Sequence, residues 1–272
     1  MNWRAIWTLI TKDFRVVLRT KAVLIPLIIV PLIMQVILPA GLAIGAYYIP
    51  TDSSDLQDLD TFLKAAPPNI LHDLQGLDDS QLFLVLMLVY FFAPLYLIVP
   101  MMVSSVFAAD SFAGEKERKT LEALLHTPLT DRELVVGKML AAWVPAVLVS
   151  VLSFALYTVA ANAAGWPVMH RIFFPNLMWI VLVFWAAPAA SAVGLSAGVL
   201  VSSKVKTFQE AYQLSGLVVL PIVMLVLAQA SGVLFLGPFV AFMLGLVLWV
   251  IALALIAFAV GVLQRNELIA KL

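Results

Sequence analysis

The polar chemistry of this chain is crowded into one place. It carries sixteen basic and sixteen acidic residues, and eleven of them fall in AADSFAGEKERKTLEALLHTPLTDRELVVGK, residues 108–138. Glu115 and Lys119 stand four apart with the acid first, and Arg118 and Glu122 repeat the spacing, so a helix here would close two ion pairs. Leu121, Leu124 and Leu125 share one face and offer an apolar patch. Pro128 ends that helix, and Thr130 followed by Glu133 has capping-box spacing for the next. The expected object is a stiff helix–turn–helix, its first helix unbroken through His126, charged on one side and apolar on another. Such a surface suits partner docking, the charges fixing register and the leucines giving buried contact. A salt-bridged connector with no partner is the plainer reading of the same residues.

Other chemistry is sparse. No G-x-x-x-x-G-K-[ST] loop occurs, because Gly137-Lys138 is followed by Met139 and lacks the upstream glycine. His72, His126 and His170 fall in three different loops and no H-E-x-x-H occurs, so no metal site and no catalytic residue are assigned. Cysteine is absent, which excludes disulfide and thiol chemistry. Ser104, Ser105, Ser191 and Ser196 lie in apolar runs and read as packing or backbone-bonding groups. No ionisable side chain is expected at mid-membrane, where ion-coupled carriers place theirs. Uphill transport by this chain would therefore need energy from another subunit.

The elements that position the charged segment follow from the remainder. Hydrophobic residues make up 63% and charged residues 12%, about half the charged fraction of an ordinary soluble domain, which is about 25%. Residues 22–51, 80–109, 139–170, 172–203 and 211–264 contain no Asp, Glu, Lys or Arg. A crossing helix needs about 20 apolar residues, and the last run is interrupted at ASGVLFLGP, residues 230–238. Six transmembrane helices are predicted over 23–46, 82–107, 139–161, 176–200, 213–229 and 239–262. The fold class is all-α integral membrane, since a helix satisfies its own backbone in lipid and the alternating pattern of a barrel is missing. The first run far exceeds a signal-peptide core and is expected to be retained.

Lys and Arg set the expected orientation. Fourteen lie on the side of the two termini and of 109–138, and only Lys64 and Arg171 lie on the other, so both termini are expected to be cytoplasmic. Residues 3–20 form an amphipathic pattern. Trp3, Ile6, Trp7, Ile10, Phe14, Val17 and Leu18 make one stripe, with Arg4, Thr8, Thr11, Lys12, Arg15 and Arg19 opposite. This predicts an interfacial helix with its bases toward anionic headgroups. The external loop 47–80 carries seven aspartates without the alternation of a calcium loop. It reads as a solvated acidic cap holding a short helix, with Ser54 and Gln57 at capping spacing and Leu56, Leu59 and Leu63 on one face before Pro67.

The string GEKERKTLEALLHTPLTDRELVVGKML resembles the first cytoplasmic loop of type-2 ABC permeases, and SSKVKTFQEAYQLSGLVVLPIVML (202–225) resembles the sodium- and drug-efflux branch. The amphipathic start resembles that family's elbow helix. The resemblance covers essentially the whole chain and makes 1–272 a single transmembrane domain with six spans. It implies the membrane-spanning subunit of an ATP-driven exporter, not an enzyme, in a multi-pass position in the cytoplasmic membrane. ATP and Mg would be bound by two copies of a separate ATPase subunit, and this chain would hold no cofactor. A second permease chain, identical or a paralogue, is implied as well; no nucleic-acid partner is. Carried onto this sequence, Glu115, Lys116, Glu117, Arg118, Thr120, Leu121, Glu122 and Leu125 would form or support the ATPase-docking helix. Lys204, Lys206 and Glu210 would make a secondary cytoplasmic contact. Lys119 stands where the family usually has glycine, and its β-carbon favours a continuous helix over a hinge. A non-transporting anchor for an ATPase, an ion-coupled carrier and an intramembrane enzyme are the alternatives.

Overall fold

The computed structural model describes residues 7–8, 10–12, 21–48, 67–119 and 131–262. Among the described residues all regular structure is helical. Six helices are long and apolar enough to cross a membrane, as the charge-free runs require. They are α1 (Leu27–Tyr48), α3 (Asp79–Glu117), α4 (Asp131–Met169), α5 (Leu177–Ser202), α6 (Phe208–Ala230) and α7 (Pro238–Val262). A short α2, Pro68–Leu74, precedes α3.

Two helices outrun their predicted spans. α4 has 39 residues, and α3 likewise covers 39; at about 1.5 Å per residue each is about 58 Å long, against a hydrocarbon core of about 30 Å. Both must project beyond the lipid. α4 continues through Asn162, Gly165 and Pro167, where a stop was expected at 161. On its far side α2 begins at Pro68, which needs no N–H in a first turn, and Asp78 and Gln81 form a reciprocal capping box at the start of α3. The external helix expected around 54–63 lies outside the described residues.

α3 and α5 form the hub, each with 67% of its apolar window buried, against 17–22% for α1, α6 and α7. Their close approach depends on small residues. A β-carbon on Gly194 would lie 2.2 Å from the Met101 carbonyl oxygen, and one on Gly198 would lie 2.8 Å from the Ala108 β-carbon. This is the small-x-x-x-small packing of membrane helices. Ser104, Ser191 and Ser196 donate to carbonyls of their own helices three or four residues back.

Nearer the α2 end, α3 contains a π-helical turn, Leu86–Phe91. Pro94 has no N–H to offer the Tyr90 carbonyl four residues before it, and in lipid an unpaired carbonyl is costly. Side chains from three other helices donate to carbonyls of this turn. Tyr157 of α4 donates to the Leu88 carbonyl, Trp179 of α5 to Val89 at 2.7 Å and Gln229 of α6 to Tyr90 at 2.6 Å. Around these bonds Trp179 stacks on Tyr157 with centroids 4.8 Å apart and meets Phe174 edge-on at 4.8 Å. The aromatic cluster is wholly buried.

Candidate functional site

The charged segment begins inside α3. A second π-helical turn, Asp110–Gly114, leads into Glu115–Glu117, and the helix surface here faces protein on every side: Asp110, Ser111, Phe112, Ala113, Gly114 and Glu115 are all buried. Burial of two carboxylates demands partners, because an uncompensated buried charge is strongly unfavourable. Both have them. Arg118 donates to Asp110 at 2.9 Å. Glu115 pairs with Lys138 at the start of the apolar part of α4, and with Lys12 at 2.7 Å.

Lys138 is 1% exposed. Its ammonium also donates to the Ser111 carbonyl and lies 5.0 Å from the centre of the Phe112 ring. Glu115 therefore sits between two ammonium groups brought by different segments. Lys12 ties the N-terminal helical residues to α3, while Lys138 ties α4 to it. Gly114 makes room for the adjoining pair: a β-carbon there would lie 2.7 Å from the Asp110 Oδ1 and 3.1 Å from the Arg118 guanidinium.

Three expectations are corrected at this end. The first helix of the island does not run unbroken past Lys119. It ends at Glu117, and Lys119 takes a φ of +55°, the left-handed conformation that stops helices and favours glycine. Lys119 thus occupies a glycine-type position despite its β-carbon, and its N–H closes the turn on the Lys116 carbonyl. Second, Glu115 bonds inward to Lys138 and Lys12 instead of along the surface to Lys119. Arg118 likewise turns back to Asp110. Third, Lys12 does not simply face headgroups, since its ammonium closes on Glu115.

The second charged loop comes to the same place. Thr207 caps α6 by accepting from the Glu210 N–H, and the Glu210 carboxylate accepts from the Lys206 N–H at 3.3 Å. Glu117 then accepts from the Phe208 N–H at 2.9 Å. A carboxylate at a helix N-terminus is electrostatically favourable, so Glu117 joins the two loops that the sequence treats separately. Lys204, Lys206, Glu210, Glu117 and Arg118 are exposed, Lys116 is half-buried, and Trp7 presents 67% of its surface. Thr120, Leu121, Glu122 and Leu125, with Trp3, Arg4, Phe14 and Arg15, lie outside the described residues. The roles of Asp110, Ser111 and Gly114 escaped the sequence reading. Lys138 carried a signal, as a lone cation opening a run of apolar residues that needs an internal partner.

A chain whose described residues form only helices, six of them long and apolar enough to cross a membrane, with charges interlocking where α3 and α4 outrun those spans, is a multi-pass membrane protein. The family profile described as ABC-2 family transporter protein matches residues 7–243, and the chain belongs to that family. It is thereby a transporter-family membrane subunit, of a kind that generally works with an ABC ATPase partner. No curated protein matches the sequence.

Proposed function

We propose that this chain is the permease subunit of an ATP-driven exporter and that its charged end is the grip for the ATPase. The observation that carries the reading is the clamp around Glu115. It joins the N-terminal helical residues to α3 and α4, while Glu117 brings in the start of α6, so force applied to one loop reaches four segments. The excess of lysine and arginine supports a cytoplasmic position for this end and for both termini, in a chain that would sit in the cytoplasmic membrane. Two ATPase copies would carry ATP and Mg, and two permease chains, identical or paralogous, would enclose the path. Half-buried Lys116 with exposed Glu117 and Arg118, continued by Thr120, Leu121, Glu122 and Leu125, would meet the ATPase directly, with Lys204, Lys206 and Glu210 beside them. Glu115 would act from behind that surface as its support. Residues 3–20 would lie along the inner headgroups as an elbow.

The test is co-purification from native membranes. Wild-type tagged chain should bring down a nucleotide-hydrolysing subunit. Leu121→Asp with Leu125→Asp should lose it while inserting into membranes at wild-type yield. Retention of the ATPase by the double variant would refute the docking assignment.

A further inference from the structure

At the end of the bundle opposite Glu115 lies a cavity of about 330 Å³ between α2, the first turns of α3 and the 169–176 connection. Binding pockets for small ligands start at about this volume. Asp73 and Arg171 both line it, and both are exposed. No ion pair joins them to each other or to any other described residue. Asp73 has a single long contact, 3.5 Å from the Tyr90 hydroxyl. Two opposite charges thus share one cavity without neutralising one another, while Val85 and Val89 give it an apolar lining.

The walls are fixed in advance. The π-helical turn brings Tyr90 onto the side of α3 that already carries Val85 and Val89. Asn162 of α4 accepts from the N–H groups of Phe173 and Phe174, at 3.1 and 3.3 Å, and donates to the Phe174 carbonyl at 2.7 Å. Gln81 donates to the Val168 carbonyl at 3.1 Å. Asn176 caps α5 through its carbonyl oxygen, which leaves its amide N–H groups for the cavity it lines. His170, at φ +51°, turns the chain sharply off α4 just before Arg171. A loop held this way loses little freedom on binding. Ile172, 76% exposed, also lines the cavity and extends the apolar surface outward at the level where the crossing helices end.

The geometry points to a binding site for a zwitterion, one carrying an ammonium group for Asp73 and a phosphate or carboxylate for Arg171 and Asn176. A zwitterionic lipid headgroup and a free zwitterion share this chemistry. The site is distinct from the ATPase grip, and binding here needs no ATPase, so it stands or falls separately from the transport reading.

The experiment titrates the purified full-length chain in detergent micelles, following intrinsic tryptophan fluorescence, with three probes: dihexanoyl phosphatidylethanolamine, dihexanoyl phosphatidylglycerol and O-phosphoethanolamine. Phosphatidylethanolamine should bind saturably, and loss of one charged contact in Arg171→Gln or Asp73→Asn should weaken it about tenfold. Arg171→Lys keeps the charge and should retain most of the affinity. Phosphatidylglycerol, which has no ammonium, should bind as weakly to wild type as phosphatidylethanolamine binds to Asp73→Asn. Equal affinity for O-phosphoethanolamine would assign a soluble zwitterion, and binding of the lipid alone would assign a headgroup still attached to its chains; either supports the site. Both altered side chains are exposed, and unchanged gel-filtration profiles would verify the fold. Unaltered affinity in both variants, equal binding of the two lipids, or no saturation by either zwitterion would overturn the proposal.

Discussion

Two of the joints that fasten α3 to its neighbours use opposite chemistry. Around Glu115 the fasteners are full charges, with Lys138 and Lys12 on one carboxylate and Arg118 on Asp110. Around the Leu86–Phe91 turn they are neutral: a phenol, an indole and an amide reach three successive carbonyls inside a shell of stacked rings. Each joint is built on or beside a π-helical turn, so the backbone irregularity is shared. What differs is the surrounding medium. A bare charge would cost about 2.5 kcal/mol or more at the centre of the hydrocarbon, and neutral donors serve within the span. At the other joint the buried charges are stabilised by one another, and such a joint is strong when intact yet punishing when half removed.

That contrast can be broken from either side. The largest effect should come from Glu115→Ala, which leaves Lys138 buried without its carboxylate and should cost about 3–5 kcal/mol. Thermal unfolding in detergent would register it as a marked fall in midpoint. Glu115→Leu combined with Lys138→Met removes both charges and should recover most of the loss. If the double variant is as unstable as the single, the joint depends on something other than charge balance. Next comes Gly194→Ala, where the new methyl group must displace the α3 backbone; about 1–3 kcal/mol is expected. A silent Gly194→Ala would show that α3 and α5 separate freely.

Tyr157→Phe probes the neutral joint and should cost only about 0.6–1.7 kcal/mol, since the ring still stacks on Trp179. A loss as large as that of Glu115→Ala would erase the distinction between the joints. The smallest change runs the other way. Lys119→Gly relieves a left-handed β-carbon worth about 1–2 kcal/mol, partly offset by the greater freedom of glycine in the unfolded chain, so stability should rise by at most about 1 kcal/mol. A decrease would mean that the Lys119 side chain contributes a contact of its own.

Six crossings were legible because hydrocarbon excludes charge, and a charge-free run of sufficient length has few other uses. The gathering of charge at one end was legible for the same reason. The π-helical turns were not, because one extra residue in a turn leaves hydropathy unchanged, and Pro94 alone does not reveal that Gln229 will serve the Tyr90 carbonyl or Trp179 the one beside it. Glu115 and Lys119 fit surface pairing by spacing; only the three-dimensional approach of Lys138 and Lys12 turns Glu115 inward. The Gly194-x-x-x-Gly198 pattern was visible as written but unused, and it marks where the hub helices meet. Asn162 lay just past the predicted end of its span, so its role in holding the 173–174 backbone had no context in sequence.

The account rests on the charged end being the one that meets the ATPase. The natural chain has no cysteine, so a single introduced thiol reports one position. Leu121→Cys and Ile172→Cys should be compared by cross-linking in native membranes with a bifunctional reagent, and adducts identified by photolabelling with azido-ATP. The expected result is a nucleotide-labelled adduct from position 121 and none from 172. A labelled adduct from 172, or its absence at 121 when the chain still co-purifies with the ATPase, would contradict the account.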